Sequence, residues 1–203
     1  VPFWMYDYGA KINYTGKGTK VRVWVGGETE YTETSYYRVQ RNMGIDFRKV
    51  PADASIEMPD DIMDLMEPFD YAALEEFQEK YMSGFYGEVY NEGADRLEDR
   101  ARRKAEKDAE SLLQETITGY STVVAQHKDI RMDRKAVHYT LLPVWRYIYK
   151  YQGKDYPFYV NGQTGKITGS TPVSKKKVIA YGSTVFAVVW MALSFLIGIM
   201  EAL

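Results

Sequence analysis

Cysteine is absent from this chain of 203 residues, and histidine occurs only as His127 and His138. Disulfides, thiolate nucleophiles and the usual Cys/His zinc sites are thereby excluded. No excess of one charge exists either: 26 Lys and Arg stand against 28 Asp and Glu, which gives no electrostatic footprint for nucleic acid. No nucleophile elbow, HExxH helix or paired-carboxylate motif occurs, and the two histidines have no second ligand near them in sequence. A protein without catalytic residues, cofactor or metal is expected. The N-terminus, Val1-Pro2-Phe3-Trp4, lacks the basic segment and apolar run of a secretory signal. A start at Val rather than Met is what a part of a longer protein would show.

Charge is also missing from Val178 to Met200, directly after Lys175-Lys176-Lys177. At about 1.5 Å per residue that stretch reaches about 34 Å, enough for a hydrocarbon core of about 30 Å. Its expected form is one transmembrane helix (178–200) with a basic juxtamembrane linker (173–177). Three lysines on one flank against Glu201 on the other are expected to hold the preceding domain on the cytoplasmic side, with the lipid bilayer as a partner.

Residues 1–172 are long enough to bury a core of their own. Four strands are expected over residues 1–50: Phe3 to Tyr8, Lys20 to Val25, Tyr31 to Gln40 and Ile45 to Val50. Turns at Gly16-Lys17-Gly18 and Gly26-Gly27 would separate them. A helical middle (59–118) comes next. Pro59-Asp60-Asp61 opens a short helix to about Glu67, and Asp70 caps a second to about Tyr86, with Leu74, Phe77, Tyr81 and Phe85 at helical spacing. A third spans Ala94 to Ile117, with Leu97, Ala101, Ala105 and Leu112 along one side. Its Arg and Lys are balanced by Asp and Glu, the pattern of a solvated helix face. Strands return at 120–170. The fold class is α+β: a mostly antiparallel sheet from two related β units with about three helices between them.

The relation between the two units rests on matched blocks. Pro2-Phe3-Trp4-Met5-Tyr6-Asp7-Tyr8 and Pro143-Val144-Trp145-Arg146-Tyr147-Ile148-Tyr149 share Pro-x-Trp-x-Tyr-x-Tyr, and Val25-Gly26-Gly27-Glu28-Thr29 parallels Val160-Asn161-Gly162-Gln163-Thr164. Alternation puts Trp4 with Tyr6, and Trp145 with Tyr147, on one strand face. Core is the commoner use of such faces, and a peptide-binding aromatic groove is the alternative. Acidic residues from Glu57 to Asp70 interleave with Met63 and Met66, so this helix either packs on its own core or docks a basic partner. Gly162-Gln163-Thr164-Gly165-Lys166 is not a phosphate loop, since Val160 and Ile167 stand where Gly and Ser/Thr are required. Asn161-Gly162 fits a type I′ hairpin turn.

Val1-Pro2-Phe3-Trp4, Tyr31-Thr32-Glu33-Thr34, Thr118-Gly119-Tyr120, Leu142-Pro143-Val144-Trp145 and the run from Tyr156 to Lys166 together resemble bacterial membrane proteins with an N-terminal TFIIB-type zinc ribbon. The resemblance covers nearly the whole domain and the span, and its motifs are structural. It implies a membrane-stress scaffold, because some such proteins are neighbours of phage-shock protein A and SPFH-domain proteins, which become the expected partners. The ribbon is missing here, so no nucleic-acid contact through it falls on these residues. The run ending in Lys166 is also similar to the hairpin ends of PepSY-type domains, which implies regulatory binding of a peptide or protease.

Overall fold

The structure, a computed structural model, describes residues 1–84 and 86–202, without the side chains of 195–202. Phe85, expected on a helix face, and Leu203 lie outside the described residues. The fold is α+β, with two three-stranded sheets rather than one. The chain divides into two units, the first made of Val1–Trp145 and Val160–Lys166, the second of Arg146–Tyr159 and the chain from Ile167 onward.

In the first unit, strands β1 (Pro2–Gly26) and β2 (Thr29–Asp53) form one hairpin of 25 residues a side, closed at Gly27, whose φ of +67° suits only glycine without strain. The four short strands expected from sequence are therefore two long ones. Gly16 and Gly18 do not turn the chain. A Cβ at Gly16 would sit 2.5 Å from the Tyr14 hydroxyl and one at Gly18 2.6 Å from the Tyr120 ring, so both positions exist for close approach. Strand β3 (Thr122–Leu141) pairs antiparallel with β1 from Pro2 to Thr19, giving the order β2-β1-β3. It runs unbroken for 20 residues. Beyond Thr19 the β1–β2 ribbon continues without a third strand, with Val21, Val23, Val25, Trp24 and Tyr31 exposed.

Alternation gives β1 an apolar face in which Tyr6, Tyr8, Ala10, Ile12 and Tyr14 are at most 4% exposed. Helix α2 (Ala94–Glu115) lies on it and buries Leu97, Ala101, Ala105, Ala109 and Leu113, whereas Leu112, expected on this side, is exposed. Three alanines in succession keep the helix axis close to the strand. At about 1.5 Å per helical and 3.3 Å per strand residue, 22 residues of α2 match the run from Trp4 to Tyr14, about 33 Å each. The helix ends where Thr116 bonds back to the Leu113 carbonyl (2.7 Å) and the Arg41 guanidinium donates to the Thr116 carbonyl (2.7 Å), a cation at the negative end of the dipole.

The middle segment departs from expectation. Helix α1 (Asp60–Leu65) forms after Pro59, but the second helix does not. Asp70 does cap, accepting from the Ala72 N–H (3.0 Å), yet only two 3-10 turns come after it, Tyr71–Ala73 and Glu79–Met82, and the chain then passes through Gly84 at φ +84°. Phe77 and Tyr81 are exposed, so the helical spacing has no buried face to serve.

The second unit contains most of a sheet ordered β4 (Val144–Tyr151), β5 (Lys154–Asn161), β6 (Ile167–Gly169), and helix α3 (Lys175–Ala202). Positive φ at Gln152 (50°) and Gly153 (74°) makes the β4–β5 connection the type I′ turn. Asn161-Gly162 is not one. Positive φ in that loop falls at Gly165 instead (71°).

Because Ala105 is fully buried between α2 and the sheet, Ala105→Leu is expected to destabilise the domain by about 1–3 kcal/mol. Urea unfolding followed by tryptophan fluorescence reads this; an unshifted midpoint would show that the helix is not seated on the strand.

Candidate partner-binding and membrane surfaces

The acidic run from Glu57 to Asp70 finds its basic partner inside the same chain. Arg100, one helical turn before Lys104 on α2, donates to Asp53 (2.7 Å), contacts Asp60 (2.9 Å) and donates to Asp64 (2.7 Å). Lys104 reaches Glu67 (2.5 Å), Asp64 (3.1 Å) and the Pro51 carbonyl (2.9 Å). Two cations thus clamp the end of β2, helix α1 and the chain behind it onto α2. Met63 and Met66, candidates for docking, are fully buried as core side chains. Their sulfurs face no partner from outside.

Asp53 is the strained member of this cluster. Its side chain is wholly buried, Oδ1 takes the Arg100 bond, and Oδ2 has no hydrogen-bond partner among the described residues. Burial pushes its carboxyl up to about 6; Asp60 and Asp64 add to the rise, and Arg100, shared among three carboxylates, only partly opposes it. Burial likewise raises Glu67 against the pull of Lys104.

The first aromatic face is likewise occupied. Tyr6 is buried and donates to the Ala94 carbonyl (2.6 Å); Tyr8 donates to that of Glu98 (3.3 Å). Burial raises both phenols, Tyr8 to about 12, so both stay protonated donors. Trp4 is half-buried, with its indole N–H on the Glu92 carbonyl (2.9 Å) and its ring against Tyr90 (5.1 Å) and Tyr139 (5.3 Å). Trp145 and Tyr147 differ from their counterparts in being about half exposed. The same Trp-x-Tyr pattern therefore serves a covered strand in one place and an open one in the other.

A cavity of about 810 Å³ lies beside Tyr90 and Tyr139, walled by the 3-10 segment and by the end of β3. Leu74, Phe77, Tyr81, Tyr86 and Leu142 are among its apolar lining residues. Sequence reasoning missed it by assigning Phe77 and Tyr81 to a buried helix. Gly84 and Gly87, which bracket Tyr86, were the available signal against that helix. Below the cavity, Asn161 pins the loop behind α1. Its buried amide donates to the Met66 carbonyl (3.1 Å), and its Oδ1 accepts from the Gln163 and Thr164 N–H groups (2.9 and 3.0 Å). A Cβ at Gly162 would meet Pro143 at 2.7 Å, so this Asn-Gly pair serves packing.

Helix α3 is long and apolar enough over Lys175–Ser194 to cross a membrane, and no part of that stretch is buried. Val178, Ile179, Phe186 and Trp190 are all exposed. Lys175, Lys176 and Lys177 occupy its first turn, at the positive end of the helix dipole, where cations destabilise a helix. Their position is not explained by helix formation.

An α+β domain preceding a helix of this length and composition is the class that the fold defines. No family model and no solved structure matches the chain. It is similar to the uncharacterized protein YdjG of Bacillus subtilis (strain 168), with 35% identity over 193 residues, covering 95% of this chain and 57% of that protein. The chain thus spans little more than half of that relative's length.

The buried carboxylate makes stability depend on pH. Asp53 has its folded-state value raised from 3.8 to about 6, so the native state takes up a proton that the unfolded chain does not. This contribution grows as pH falls from about 7 and levels off near 4, by at most roughly 3 kcal/mol. Asp53→Asn removes the slope: wild type should gain on the variant between pH 7 and pH 5 in denaturant midpoint. A difference that does not move with pH would place Asp53 outside the buried cluster.

Proposed function

We propose that this chain is a noncatalytic, membrane-anchored scaffold or adaptor domain of a bacterial inner-membrane protein, facing the cytoplasm and active in the response to membrane stress. The observation that carries the reading is helix α3, apolar and unburied over Lys175–Ser194, with three lysines on the one turn where the helix itself does not favour them. Lysines at that depth meet anionic head groups and favour retention on the cytoplasmic side. The protein partners that the zinc-ribbon resemblance implies are phage-shock and SPFH-type proteins. Their recruitment would fall on the folded domain, since α3 supplies attachment and the Arg100 cluster is used internally.

A second reading, a regulatory peptide- or protease-binding domain like the PepSY type, is favoured by the half-exposed Trp145 and Tyr147 face. Buried Tyr6 takes no part in it.

Alkaline extraction and protease protection test the anchor. The full chain should resist carbonate and be shielded from external protease in spheroplasts, while removal of α3 should release it. Replacing Lys175, Lys176 and Lys177 by Glu should lower the shielded fraction severalfold. A carbonate-soluble chain, or a domain digested from outside, sinks the reading. Crosslinked partners should vanish when residues 1–172 are deleted.

A further inference from the structure

Strand β3 is the outer strand of its sheet: β1 pairs with one side, and among the described residues no strand pairs with the other. Register shows which groups are left over. Leu142 exchanges both backbone bonds with Val1, at 2.9 Å each, so antiparallel alternation turns the N–H and C=O of Leu141 and Tyr139 away from β1. Most of that edge carries the charges that keep open strands apart, with Lys128, Asp129, Arg131, Asp133, Arg134 and Lys135 in close succession. From Ala136 to Leu142 Asp, Glu, Lys and Arg are absent. This unguarded stretch is the part that reaches the aromatic cavity, whose wall includes Tyr139, Thr140 and Leu141. An open ladder and a hydrophobic recess therefore coincide.

The recess has a charge preference as well. Its charged groups are two carboxylates against one cation: Glu75 and Glu88 each accept one hydrogen bond, from Tyr81 (2.6 Å) and Ser55 (2.5 Å), and retain acceptor capacity, while the α-amino group of Val1 donates to the Leu142 carbonyl (2.9 Å). Tyr86, at 94% exposed, and Val89, at 76%, leave much of the apolar wall in water.

We propose that the end of β3 receives an extended segment of a partner protein as a fourth strand, with alternate large apolar side chains entering the cavity and a flanking Lys or Arg meeting Glu75 and Glu88. Main-chain bonds to Tyr139 and Leu141 supply affinity, and the recess selects every second side chain. The proposal rests on the adaptor part of the function given above and specifies how a client would be gripped.

The test uses the full chain in nanodiscs and a labelled peptide, Lys-Leu-Thr-Phe-Thr-Leu-Lys, read by fluorescence anisotropy. Saturable binding is expected. Two further peptides carry N-methyl groups on alternate amides, one in each phase. One phase should bind at least tenfold more weakly and the other nearly as well, because only every second amide faces β3. Leu141→Pro, which removes one outward N–H without touching the bonds to β1, should weaken binding by a similar factor, and Glu75→Lys by about fivefold. Equal binding of both methylated peptides, competition by oleate that ignores methylation, or self-association of the chain with no peptide binding would each overturn the proposal. A chain that stays in the membrane yet ignores the peptide defeats this inference alone; one that binds it yet washes off the membrane defeats the anchor alone.

Discussion

The seating of α2 on the even face of β1 is the contact on which the rest of the first unit depends. Alanines at 101, 105 and 109 let the helix approach closely enough for tyrosine hydroxyls rooted in the strand to reach carbonyls of its first turns. Area burial and hydrogen bonding act here on the same side chains, since each tyrosine ring is part of the core and each hydroxyl is satisfied by helix backbone. Sliding the helix by one residue would carry the alanine stripe off the strand and leave the hydroxyls without acceptors at the same time.

Once α2 is fixed, its outer edge organises the chain beyond β2. Arg100 and Lys104 gather carboxylates from three successive pieces of chain, so a segment with one short helix is held by charge as much as by apolar contact. Such a clamp is strong only while complete: two cations serve four carboxylates, and Asp53 lies dry beneath them with one oxygen unpaired. Asn161 completes the arrangement by holding the carbonyls of Met66 and Pro68. The wall of the aromatic cavity hangs from these fastenings.

How far the sequence foretold this varies with how local each cause is. Helix α2 was readable because its small and apolar residues recur at helical spacing over 22 positions. The start signal at Pro59 was also local, and Asp70 does cap, though a short 3-10 turn stands where a helix to about Tyr86 was expected. The long strands were misjudged because glycine within a strand looks like a turn until the Tyr14 and Tyr120 side chains that crowd it are known. Leu74, Phe77 and Tyr81 showed helical spacing without a helix, since nothing nearby covers such a face. For the acidic run, its own core and a basic partner were both open from sequence; that it buries its methionines and also meets cations on α2, dozens of residues away, is a tertiary fact. The cavity belongs to the same category, being closed by chain segments far apart in sequence.

The β1–β2 ribbon outlasts its neighbours. Up to Thr19 its ladder is flanked by β3, and up to Tyr14 it is backed by α2; beyond Lys20 it stands as two strands. One continuous set of cross-strand bonds therefore runs from the centre of a sheet into open solvent, and its amides belong to different cooperative units. Those near Tyr8 exchange with water only when the whole unit opens, whereas those around Val23 and Tyr31 exchange through fraying that leaves the core untouched. The ribbon is thus a graded lever, rigid where it is rooted and compliant at its tip, so force or binding at Gly27 is absorbed by bending before the helix feels it.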